Sequence, residues 1–122
     1  MTLRVVVADD ETDVCLMLRI QLGAQPDIDV VGVAADGAEA LSLCRQLMPD
    51  VVVMDLLMPV MNGFQAIESL QQELPGVALV AYTGVAGEFV RQEMERVRVP
   101  LVLKSGDISP LADAVRKAAT NR

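Results

Sequence analysis

The chain has 122 residues, 10 Lys and Arg against 17 Asp and Glu, a net charge of −7 and no histidine. This length makes one domain, and the acid excess argues against direct binding to nucleic acid or an anionic membrane, which needs clustered Lys and Arg. Without histidine, Ser-His-Asp and Cys-His catalysis and His-ligated zinc are excluded, as is a phosphohistidine on this chain.

In chain order, short β-branched runs alternate with segments of helical period. Leu3–Ala8 reads as a first strand, followed by Asp9-Asp10-Glu11 and a helix with the apolar stripe Val14, Met17, Leu18 and Leu22. Val30–Val33 is a second strand, and Ala40, Leu43, Cys44 and Leu47 line a helix that Pro49 ends. Asp50–Met54 is the third strand, and Phe64, Ile67, Leu70 and Leu74 mark a helix stopped by Pro75. Val77–Tyr82 forms the fourth strand, before a helix carrying Phe89, Val90, Met94 and Val97. Val99–Leu103 is the fifth, and Ser109 before Pro110 reads as the N-cap of a last helix with Leu111, Ala114, Val115 and Ala118. The strands are nearly continuous in apolar residues, as in a parallel sheet covered on both faces. Five βα repeats imply a doubly wound parallel α/β fold with right-handed crossovers.

Cys15 and Cys44 stand alone in helical segments and read as small buried hydrophobes. Met54, Met58 and Met61 read as packing residues. The most apolar stretch, Val51–Val60, is broken by Asp55 and falls far short of the ~20 residues of a membrane span. Met1-Thr2-Leu3-Arg4 does not read as a signal peptide. The expected location is cytoplasmic.

In such sheets, ligands bind beyond the carboxyl ends of the strands. Those ends carry Asp9 and Asp10, Asp55, Thr83 with Gly84, and Lys104. Three clustered carboxylates repel one another unless a cation is present, and oxygen ligands without His or Cys suit a hard, partly hydrated ion such as Mg²⁺. One carboxylate can then attack phosphorus, while metal, ammonium and hydroxyl take the charge on the phosphoryl oxygens. The acidic first turn repels free phosphate, which argues against a flavin protein.

Ala8-Asp9-Asp10-Glu11, Met54-Asp55-Leu56-Leu57-Met58-Pro59-Val60-Met61-Asn62-Gly63, Thr83-Gly84 and Leu103-Lys104 occur in that order, with key residues 45, 28 and 21 positions apart. In these motifs and separations the chain resembles, over essentially its whole length, the CheY-like receiver domains of bacterial two-component response regulators. Pro26-Asp27-Ile28-Asp29-Val30-Val31-Gly32 and Lys104-Ser105-Gly106-Asp107 are similar to the NarL/LuxR-type subgroup. The resemblance implies a flavodoxin-like sheet of order 2-1-3-4-5 with five helices, and a receiver domain spanning 1–122. It implies Asp55 as phosphoacceptor, and Mg²⁺ held by Asp9, Asp10, Asp55 and the backbone carbonyl of Leu57. Lys104 would pair with Asp55 and then with the phosphoryl group, which the Thr83 hydroxyl and Gly84 amide would also bind. The implied donor is a sensor histidine kinase. The implied output is a helix-turn-helix domain in a longer protein, absent from this chain. On this reading the domain is a switch rather than an enzyme, with at most weak autophosphatase activity.

Several positions depart from the family pattern. Leu101 stands where an aromatic residue is usual, which keeps open a second reading, a degenerate receiver that binds partners independently of phosphorylation. Ser105 replaces a frequent proline after the Lys. A cis Lys104–Ser105 bond would cost about 2.5–4 kcal/mol, so the bond is expected to be trans, or strained and held by the site. Tyr82 stands where a small aliphatic is usual. Leu57 and Val85 occupy positions that flank the hydrolytic water's path in the family, implying slow loss of phosphoryl. On the first helix, Leu16 and Ile20 fall opposite the core stripe. They suggest a homodimer contact through the first helix and the last, as in NarL/LuxR-type relatives.

Overall fold

The computed structural model describes residues 2–84 and 87–122. Strands and helices alternate as β1 (Leu3–Ala8), α1 (Thr12–Gln21), β2 (Ile28–Ala34), α2 (Gly37–Leu47) and β3 (Val51–Met54). The second half continues with α3 (Gly63–Glu73), β4 (Ala78–Thr83), α4 (Glu88–Arg96), β5 (Leu101–Leu103) and α5 (Ser109–Asn121). All strands are parallel, in the order β2-β1-β3-β4-β5.

The period-2 alternation of side chains divides the core into two layers. Val6, Ala8, Val52, Met54, Leu79 and Ala81 face α2, α3 and α4, where they meet Cys44, Leu70 and Met94. Val5, Val7, Val53, Val80 and Tyr82 face α1 and α5, against Leu18, Leu22, Leu111 and Val115. The two cysteines are buried and free. Met54 and Met58 are buried, and Met61 packs against the α2–α4 layer, as the sequence predicts.

Helix termini follow local chemistry, with one correction. Asp36 caps α2 by accepting from the Glu39 amide, and Met48 ends that helix in the left-handed region at φ 45 before Pro49. Asn62 and Gln65 exchange side-chain and backbone hydrogen bonds in a capping box that opens α3. Ser109, however, is the first residue of α5 rather than its cap. Its amide donates to the Asp107 carboxylate at 3.0 Å, because Asp107 two residues earlier reaches the free helix end first.

Other boundaries shift by a few residues. Asp50, Val77, Val99 and Pro100 precede their strands, while Ile28, Asp29 and Ala34 join β2. Phe89 is exposed rather than part of the core, and meets Phe64 in a tilted contact across α3 and α4 with centroids 6.2 Å apart. The Lys104–Ser105 bond is trans, as are all the described peptide bonds. Among the described residues, no helix is long and apolar enough to cross a membrane.

Candidate functional site

β1 and β3 are neighbours in register, Ala8 beside Met54, so the residues that follow them emerge side by side. The Asp55 amide donates to Ala8 O at 2.9 Å. This bond holds Asp9 and Asp55 at the same height on the carboxyl edge. β4 ends one strand further along in Thr83, whose carbonyl accepts from the Lys104 amide at 3.0 Å. Strand order and register alone bring these distant positions together.

Asp9 is 2% exposed, Asp55 5%, and Thr83 is also buried, whereas Asp10 and Gly84 lie open to solvent. Asp9, Asp10 and Asp55 each offer a carboxylate oxygen, and the three oxygens lie within 4.8 Å of one another. Lys104 Nζ approaches Asp9 Oδ2 at 2.7 Å, Asp55 Oδ2 at 3.4 Å and Glu11 Oε1 at 3.6 Å. The buried Asp9 Oδ2 thus has the Lys104 ammonium as its ionic partner.

The electrostatics follow from this crowding. Burial, then repulsion from Asp9, raises the Asp55 carboxyl above its usual range, against the pull of Lys104 and the Leu57 amide. Burial alone would lower the Lys104 ammonium, but Asp9 and Asp55 outweigh it and hold the group above its ordinary value. One cation thus faces two buried carboxylates, with an exposed third beside them. The set is short of positive charge, and three clustered carboxylate oxygens are the ligand type a hard cation takes. The donor set fits Mg²⁺.

The predicted residues Asp9, Asp10, Asp55, Thr83 and Lys104 therefore meet at one edge. The Leu57 side chain faces solvent there. Val85 lies outside the described residues. Leu101 is half-buried against the α2–α4 layer, in the place of the family's aromatic. Tyr82 points to the opposite layer and is 2% exposed, with its hydroxyl 3.4 Å from the Ser105 carbonyl.

Sequence reasoning missed three supports. The Glu11 carboxylate joins the Lys104 cluster, and the Cys15 thiol donates to Asp9 O at 3.2 Å. Gly63 closes the loop after β3, its amide donating to Leu56 O at 3.0 Å. A Cβ at Gly63 would stand 2.0 Å from Asp55 O and 2.7 Å from Leu56 Cα. A signal existed for the last: a glycine directly after the helix-capping Asn62 marks a close approach of backbone.

Fold and site define a class. Residues 5–116 match the response regulator receiver domain family, and the chain belongs to it. Its sequence is 36% identical over 118 residues to the transcriptional regulatory protein LiaR of Bacillus subtilis, covering 96% of this chain and 56% of that protein. A LuxR-family two-component response regulator from Aurantimonas superposes with a TM-score of 0.92 at 29% identity, over 100% of this chain and 88% of the other. The signal receiver domain of NarL from Mycobacterium tuberculosis gives 0.92 at 26%, over 99% and 98%. Within the family this is a receiver of the NarL/LuxR type. The chain spans little more than half the length of the curated regulators it matches.

Proposed function

We propose that this chain is a Mg²⁺-dependent phosphoacceptor switch that takes a phosphoryl group from a sensor histidine kinase onto Asp55. The observation that carries the reading is the buried, charge-crowded Asp55 beside Lys104, in a cluster with the carboxylates of Asp9 and Asp10. Asp9, Asp10, Asp55 and the Leu57 carbonyl would hold the ion. Bound there, Mg²⁺ supplies the positive charge that lets a phosphoryl dianion come near three carboxylates.

An Asp55 oxygen forms the new bond to phosphorus. The bond from phosphorus to its leaving group breaks, and that electron pair departs on the kinase imidazole nitrogen, or on the carboxylate oxygen of acetyl phosphate. Lys104 then turns its Nζ from the carboxylates to a phosphoryl oxygen. The Thr83 hydroxyl and Gly84 amide donate to the others. Output passes to a helix-turn-helix domain in a longer protein, and a homodimer forms through α1 and α5. The setting is cytoplasmic.

The competing reading, a phosphorylation-independent binding module, is favoured by Leu101 alone. One experiment separates the two. With acetyl phosphate and Mg²⁺, the wild-type intact mass rises by one phosphoryl group, and Asp55→Asn or EDTA prevents it. Unchanged labelling of Asp55→Asn would overturn the acceptor assignment, and an unlabelled wild type would favour the binding module. Leu57→Asn, by orienting water beside the acyl phosphate, shortens the lifetime of the label. An equal lifetime would remove that role for Leu57.

A further inference from the structure

The opposite edge of the sheet carries a second concavity, a cleft of about 450 Å³ where β4 and β5 begin. It is separated from the acidic cluster by the six residues of β4, roughly 20 Å of extended chain. Val77, Ala78 and Val99 line it where the strands begin, with Gln71 of α3 on one face of the sheet and Ala114 and Ala118 of α5 on the other. Val77, Ala78 and Val99 keep 5–8% of their surface exposed, whereas Val80 and Val53 deeper in the sheet keep at most 1%. The cleft runs along the sheet edge where the two apolar layers end.

Its rim is the reverse of the rest of the molecule. The chain has 17 acidic residues against 10 basic ones, yet Arg98, Lys117 and Arg122 line the cleft and no Asp or Glu does. Arg122 is spent on Asp50, at 2.9 Å. The Arg98 and Lys117 side chains have no ion pair among the described residues. Arg98 sits in the left-handed region at φ 61, in the turn between α4 and β5.

The backbone adds a polar handle. Pairing of β4 with β5 starts at Ala81, whose amide donates to Pro100 O at 2.9 Å. By the same alternation Leu79 turns its N–H and C=O to that side, one step before the ladder starts. Pro100 has no N–H to give its carbonyl. The floor of the cleft is therefore apolar side chain with a strand edge along it.

We propose that this cleft binds a small amphipathic anion, an aliphatic or aromatic body with one carboxylate. The body lies on Ala78, Ala114 and Ala118, and the carboxylate lies between Arg98 and Lys117. The volume is within the range of small-molecule sites, which combine an apolar lining with a few placed polar groups. The site is independent of the phosphoacceptor reading.

The test uses octanoate and its uncharged analogue 1-octanol as probes, followed by amide shifts of the ¹⁵N-labelled chain. Octanoate gives saturable shifts centred on Ala78, Ala114 and Ala118, and 1-octanol binds more weakly. Arg98→Asn with Lys117→Gln weakens octanoate by about tenfold, as expected for two solvent-facing charge contacts, and leaves 1-octanol unchanged. Asn tolerates the left-handed backbone and Gln the helix, so this variant keeps the fold. Ala118→Phe, which fills the cleft, removes both. Shifts scattered over the surface, no saturation, an unaltered octanoate affinity in the double variant, or equal binding of the alcohol would each overturn the proposal.

Discussion

Asp55 is placed at a cost to the fold. Its carboxylate is desolvated and faces Asp9, so its ionised form is disfavoured relative to the unfolded chain. A carboxyl whose folded pKa is raised destabilises at pH values above that pKa, and the penalty disappears as pH falls below the unfolded value. Asp55→Asn in metal-free buffer is therefore expected to stabilise the domain at neutral pH by about 0.5–2 kcal/mol, as relief of a functional-site conflict does. The gain shrinks toward pH 4, roughly the unfolded carboxyl pKa. Urea unfolding at both pH values checks it; a variant less stable at neutral pH contradicts the account. At this scale Asp9, Asp10, Asp55, Thr83 and Lys104 were legible, because each is polar at the end of an apolar run. The reach of Glu11 to Lys104 was not, since an exposed side chain's rotamer has no counterpart in the pattern of residues.

Among the elements, the loop from β3 to α3 bears the most constraint. It carries Val60 at φ 66, a β-branched residue in a conformation such residues rarely take. It then returns so close to β3 that only glycine fits at Gly63. Gly63→Ala should destabilise the domain by roughly 3 kcal/mol, because the atoms in the way are backbone and cannot rotate aside. Denaturation midpoints test this, and a loss below half that size would mean the loop yields. The helices and central strands were readable from periodicity, since Val51–Met54 and Ala78–Thr83 are buried on both faces. The short β5 was overextended in the reading because Val99 and Pro100 continue its apolar run. Pro100 lacks the amide that would carry the ladder further. Likewise Phe89 has the right spacing for the core stripe, yet stays outside, against the half-buried Phe64.

For the molecule as a whole, ion pairs tie the ends of the chain to the sheet. Asp50 accepts from the Arg4 amide at 2.8 Å and meets Arg122 at 2.9 Å, joining the start of β3 to β1 and to the last residue. Arg116 of α5 grips Asp27, before β2, at 2.8 Å. A backbone hydrogen bond from Arg4 holds Asp50 below the usual carboxylate range, and a side-chain bond from Arg116 does the same for Asp27. Such groups add stability that is complete above the unfolded pKa and is lost as pH falls through the lowered folded value. Stability should therefore decline below about pH 4, and Asp50→Asn should flatten that acid limb. An unchanged limb would assign acid unfolding to other groups. The surface makes a second expectation. Leu16 and Ile20 are 56% and 62% exposed, one turn apart on α1. Sedimentation with beryllofluoride and Mg²⁺ should show a dimer that Leu16→Glu with Ile20→Lys disrupts. A dimer unaffected by that pair, or a monomer throughout, removes this face as the contact.

Tyr82 has an optical consequence. The chain contains one tyrosine and no tryptophan, so emission excited in the tyrosine band, to the red of phenylalanine absorption, comes from a single ring. That ring is sealed in the layer shared with α1 and α5, and its hydroxyl stands beside the Ser105 carbonyl, one residue from Lys104. Quantum yield and lifetime of an unlabelled sample therefore report the surroundings of one phenol, at the junction between the acidic edge and the helices proposed to dimerise. Any rearrangement of the β5 loop can be timed by stopped flow without introducing a dye.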